Sequence, residues 1–145
     1  MKNHKEFTSD NEWFKLKLPE NWSEYDDDDD NYAFFNTEKW SGNLRISHIR
    51  WANVVDYTDK ASLYNQEEME KTPGAINVKL ANWNATFYSK ETLAGDNLIY
   101  FWNTGSKNDL FICSFTFKKD FLGLDWHNNE LIIVSEILGS IKIIS

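Results

Sequence analysis

The chain has 145 residues with 15 Lys+Arg against 23 Asp+Glu, a formal charge of −8, and 16% aromatic residues. That balance disfavours nucleic acid as a partner, because a phosphate backbone rewards clustered Lys and Arg. A 41% hydrophobic fraction excludes wholesale disorder, the single cysteine, Cys113, excludes an intrachain disulfide framework, and no apolar run approaches the roughly 20 residues that cross a bilayer.

Residues 6–18 alternate loosely, with Phe14, Leu16 and Leu18 on one side and Lys15 and Lys17 on the other. Period-two alternation predicts one half-buried strand, stopped by Pro19. After the Leu18-Pro19-Glu20-Asn21-Trp22 corner and an acidic run, a short strand is expected at Tyr32 to Phe35, and another at Leu44 to Trp51. Thr58 or Asp59 can cap a helix through Lys71, which Pro73-Gly74 ends. Four strands follow as a meander at 76–81, 83–91, 97–104 and 109–117, punctuated by Gly95-Asp96-Asn97 and Gly105-Ser106-Lys107-Asn108. On the last strand Phe111, Cys113, Phe115 and Phe117 share a side, which makes Cys113 a buried inert thiol. A helix from Asp125 to Leu138 carries Trp126, Glu130, Ile133, Val134, Ile137 and Leu138 at helical spacing. Asp125 is its expected N-cap and Gly139 its left-handed C-terminal residue, with a last strand over Ile141 to Ile144. The expectation is one α+β domain over residues 1–145.

At Phe14-Lys15-Leu16-Lys17-Leu18-Pro19-Glu20-Asn21-Trp22 the chain resembles the PsbP-like family, in which an early strand runs into a Leu-Pro-x-x-Trp corner. The aromatic meander and the final helix running into Ile137-Leu138-Gly139-Ser140-Ile141-Lys142 extend the likeness to nearly the whole chain. The resemblance implies an α/β/α sandwich, a central antiparallel sheet flanked by helices. It implies no shared catalytic residues, because the better-known members act by binding other proteins, and its bacterial members are of unknown function. The chain departs from the family pattern at Asn21, where glycine is common, and in its aspartate run.

The charge is concentrated. Glu20, Glu24 and Asp26, Asp27, Asp28, Asp29 and Asp30 place seven acids and no base within residues 20–30. Three readings stand: a solvated loop, a patch that attracts a basic protein, and a calcium loop. For calcium, Asp27, Asp29, Asn31 and Glu38 fall at the first, third, fifth and twelfth positions of an EF-hand loop, but its obligatory sixth-position glycine is Tyr32. Among seven tryptophans, Trp22 and Trp126 read as core, while Trp40 and Trp51 flank loops beside the acids and suit an interface. Asparagines beside tryptophan, as in Asn82-Trp83-Asn84, suit carbohydrate stacking.

Hydrolase elbows, phosphate-cradling glycine loops and dinucleotide fingerprints are absent from the sequence. His4, His48 and His127 lack metal-ligand spacing. The leading expectation is therefore a non-enzymatic, cytoplasmic, monomeric binding module of bacterial type, without metal or cofactor. It engages a basic protein through Asp26 to Asp30 with Trp40 and Trp51, as an immunity or accessory protein does. The alternative is a small-ligand protein or enzyme whose pocket between sheet and helix uses Trp51, Trp83, Tyr88, Trp102 and His48.

Overall fold

The computed structural model describes residues 3–27, 30–51 and 59–144. In chain order the elements are β1 (His4–Thr8), β2 (Phe14–Pro19), β3 (Trp22–Tyr25), β4 (Tyr32–Asn36), β5 (Asn43–Arg50), α1 (Lys60–Lys71), β6 (Ile76–Leu80), β7 (Trp83–Glu91), β8 (Asn97–Ser106), β9 (Asp109–Lys118), a 3-10 turn (Lys119–Phe121), α2 (Asp125–Gly139) and β10 (Lys142–Ile143). Seven strands form an antiparallel sheet in the order β3-β4-β5-β9-β8-β7-β6, and β1-β2-β10 form a smaller antiparallel one.

The core lies between one face of the large sheet and the layer made by β2 and α2. Phe111, Cys113, Phe115 and Phe117 alternate along β9 and are all fully buried, as period two predicts. Cross-strand register puts Leu44 and Ile46 of β5 and Trp102 of β8 on the same face. Phe14, Leu16 and Leu18 of β2 meet them from above, together with Val134, Ile137 and Leu138 of α2. On the opposite face α1 crosses β7, β8 and β9. Its N-terminus is capped as expected: Asp59 Oδ1 accepts from the Ser62 amide at 2.9 Å. The large sheet thus has helix on both sides.

Four expectations need correction. Residues 6–18 form two strands, because the side chains of Ser9 and Asn11 accept from the Trp13 amide at 3.0 and 3.2 Å and Glu12 adopts a φ of 58°. Such side-chain-to-backbone bonds build a turn that alternation cannot reveal. Trp22–Tyr25 is a strand as well, pairing with β4. Asp125 is the first helical residue and Leu124 the cap, while Gly139 ends α2 in helical geometry. Gly139 is needed for space: a Cβ there would stand 3.1 Å from Ala81 Cβ and 3.2 Å from the Leu80 carbonyl carbon. Finally, the buried stripe of α2 includes His127 in place of Trp126, which is half-buried with the Lys39 ammonium 3.8 Å from its ring centroid. Trp22, by contrast, is fully buried.

Candidate functional site

The acidic segment connects β3 to β4, two short strands at one edge of the large sheet. The first of its aspartates within reach of the sheet is tied down. The Arg45 guanidinium of β5 donates to Asp27 through Nε at 2.6 Å and through its Nη2 at 3.3 Å, a two-pronged pair. Asp26 and Asp30 are exposed, and Asp28 and Asp29 lie outside the described residues.

Two adjoining hollows open at this corner, and Asp10, Asn31 and Tyr32 line both. The larger, about 420 Å³, adds Glu24, Tyr25, Asp26 and Asp27. The smaller, about 320 Å³, adds Asn11, Asp30 and His48. Asp10 comes from the β1–β2 turn, where its amide donates to the Tyr32 hydroxyl at 3.2 Å. It is an acid that the sequence reading did not attach to the run. Glu24 registers the crowding: burial, then the negative charges of Asp10 and Asp26, push its carboxyl above the usual carboxylate range.

His48 forms the floor of the smaller hollow. Its ring stacks on Phe111 at 4.7 Å between centroids, and Nε2 lies 2.7 Å from Asp109 Oδ1. Burial lowers the imidazole pKa, against the raising effect of Asp109, so the ring is neutral at pH 7 and the nitrogen facing the carboxylate carries the proton. The same Asp109 oxygen accepts from Arg50 Nε at 2.7 Å, and Arg50 Nη2 reaches the carbonyls of Ile144 at 3.0 Å and Trp13 at 3.3 Å. This group fastens the small sheet to the large one directly beneath the acidic hollow.

The remaining expected site residues are scattered. Trp40 sits on the loop after β4, at the opposite end of that strand from the acids, with its indole N–H donating to Asn43 Oδ1 at 2.9 Å. Trp51 follows β5 at the acidic end of the sheet, held by its amide to the Asn108 carbonyl at 2.9 Å. The five-residue aromatic pocket is not assembled. Trp102 is a core residue, and Tyr88 stacks on Phe101 on the other face. Trp83 lines a groove beside α1, and His48 lines the acidic hollow. The EF-hand spacing also fails in space, because β4 separates Asp27 from Glu38. Among the described residues no group of three or more His, Cys, Asp or Glu side chains is arranged to hold a metal.

Residues 1–143 match the family described as a domain of unknown function, DUF3805. The chain belongs to that family. No curated protein matches it. A crystal structure from Bacteroides thetaiotaomicron superposes with a TM-score of 0.79 at 23% identity, covering 100% of this chain and 50% of that one. The chain therefore spans about half the length of that protein. The solution structure of cyanobacterial PsbP from Synechocystis matches with a TM-score of 0.58 at 10% identity, over 99% of this chain and 94% of that one. LpqN of Mycobacterium tuberculosis, described as involved in cell envelope biogenesis, matches at 0.53 and 12% identity, over 99% and 91%. At these identities the likeness carries the fold, which is α+β and PsbP-like.

Proposed function

We propose that this domain works by binding, without catalysing a reaction, and that its acidic corner receives a basic protein. The observation that carries the reading is the gathering of Asp10, Glu24, Asp26 and Asp27 around one hollow, with Asp30 lining the one beside it. Like charges gathered around a hollow store repulsion that an incoming ammonium or guanidinium relieves, and a patch of one sign accelerates the encounter with its opposite. Arg45 holds Asp27 in place beside this hollow. Trp51 lies at the same end of the sheet, where an aromatic side chain suits an interface. An immunity protein that captures a basic toxin is one concrete form of such a module.

The test compares the native domain with a variant carrying Glu24→Gln, Asp26→Asn and Asp30→Asn, leaving Asp27 in place. Each is immobilised and exposed to native lysate at low and high salt. The reading expects a basic protein that the native domain retains at low salt and releases at high salt, and that the variant retains about tenfold less. Equal retention by both, or retention that salt does not weaken, would refute it.

A further inference from the structure

At the far side of the large sheet, β7 and β8 part company. Their ladder runs from Glu91 paired with Leu98 to Thr86 paired with Asn103, and there it stops. Trp83, Asn84 and Ala85 of β7 lie beyond its end, as do Thr104, Gly105 and Ser106 of β8, which continue pairing with β9 alone. One side-chain bridge crosses the gap, from the Thr104 hydroxyl to the Asn84 carbonyl at 2.7 Å. Helix α1 roofs the split obliquely. Its N-terminus is pinned to the β8–β9 turn, where Ala61 donates to the Lys107 carbonyl and Lys107 donates to Asp59 Oδ1, at 3.0 and 2.9 Å. Gly105 permits this closeness, since a Cβ there would stand 3.0 Å from Ala61 Cβ. Further along, the helix leans over β7 and leaves a groove of about 560 Å³, a volume within the ordinary range of small-ligand sites.

The groove wall has a definite chemistry. Asn65 and Gln66 of α1 face Asn77, Asn82 and Asn84 from β6, β7 and the turn between them, with hydroxyls from Ser62, Thr86 and Ser106. Asp59 and Glu70 are its charged members, and Lys, Arg and His are absent from it. An anionic ligand is therefore disfavoured. Asp59 already accepts two backbone amides, so the wall makes a poor cation site as well. The apolar share is small, chiefly Met69 and Ala85; Trp83 borders the groove, with its ring on the core face against Phe111 and its indole N–H donating to the Ile141 carbonyl at 2.9 Å. Inside the wall, Asn65 Oδ1 is shielded from solvent and has no hydrogen-bond partner among the described residues.

We infer that the groove binds a neutral saccharide. A carboxamide donates and accepts at once, which matches the paired donors and acceptors of vicinal hydroxyls. Met69 on the wall offers an apolar surface against which a sugar's C–H groups pack. The site is separate from the acidic corner and does not depend on it.

The test uses the full chain labelled with nitrogen-15 and a panel of neutral trisaccharides (maltotriose, mannotriose, cellotriose and tri-N-acetylchitotriose), each at about 10 mM, enough to load a millimolar site. The expected result is a shift of the Gln66, Asn82 and Asn84 side-chain amides with at least one sugar. Affinity should fall about tenfold or more in the Gln66→Ala, Asn84→Ala variant, whose substituted residues are both exposed and away from the core. The corner variant with Glu24→Gln, Asp26→Asn and Asp30→Asn should bind the same sugar unchanged. Silence across the panel, shifts outside the groove, shifts that survive in the groove variant, or equal shifts with triglycine would overturn the inference.

Discussion

Replacing Asp109 with alanine tests the buried cluster that holds His48 and Arg50, the arginine that reaches the small sheet. The Asp109 side chain is 12% exposed, and a single oxygen serves His48 Nε2 and Arg50 Nε, both at 2.7 Å. The histidine side chain is 3% exposed, so its N–H cannot recover a water partner; the arginine, at 22%, can in part. A hydrogen bond to a charged group contributes about 1.5–3 kcal/mol, and stranding a buried donor costs about 1–3 kcal/mol. Counting the His48 loss fully and the Arg50 loss at about half gives about 3 kcal/mol. Urea unfolding followed by tryptophan fluorescence would show this as a lower midpoint at unchanged slope. His48→Phe combined with Asp109→Ala should lose less than the two single changes together, by about 1–2 kcal/mol, since the pair is then absent from both sides. A loss below about 1 kcal/mol, or strict additivity, would show that Asp109 does not hold His48 and Arg50 as described.

Other consequences follow from buried groups. His48 and His127 both have pKa values lowered chiefly by burial, so between their folded values and 6.5 the unfolded chain binds more protons than the folded one. Stability is therefore complete above pH 6.5 and declines as pH falls below it; a melting temperature that stays level or rises between pH 7 and pH 5.5 would contradict this. Gly105→Ala meets both a φ of 148° and an approach of 2.1 Å to the Asp109 carbonyl oxygen, a combination expected to cost about 2–4 kcal/mol in denaturant titration and to loosen α1. Cys113 is fully buried and its thiol pKa is pushed up, so a thiol reagent should modify it at the global unfolding rate, and rapid labelling of the folded chain would be inconsistent with that.

The meander was legible because each turn is marked twice, by glycine or asparagine in the loop and by resumed alternation after it. The cap on α1 was legible because Asp59 acts on its own next turn. What escaped the sequence was formed at a distance. Asp109 joins His48 and Arg50 from 61 and 59 residues away, and nothing local to any of the three marks the meeting. Asp10 joins the acids only because a turn hidden within apparent alternation folds it across to Tyr32. Trp126 and His127 are neighbours on α2, and a one-residue rotation of the helix decides which enters the core; the apolar count favoured tryptophan, whereas packing against Phe117, 4.5 Å from the His127 ring, took histidine. The saccharide groove depends on where the β7–β8 ladder stops, a matter of three-dimensional divergence that no pattern of residue types records.

The position of β3 gives the acidic corner another effect. It is a terminal strand of the seven-stranded sheet, and among the described residues only β4 pairs with it, which leaves an edge on which a stray strand could extend the sheet. Chains polymerise through such edges unless something forbids it. Here Glu24 lies within the strand and the aspartates follow at once, so any second copy arriving edge to edge brings the same negative charge with it. The charge that would welcome a basic stranger thus works against a second copy pairing along β3.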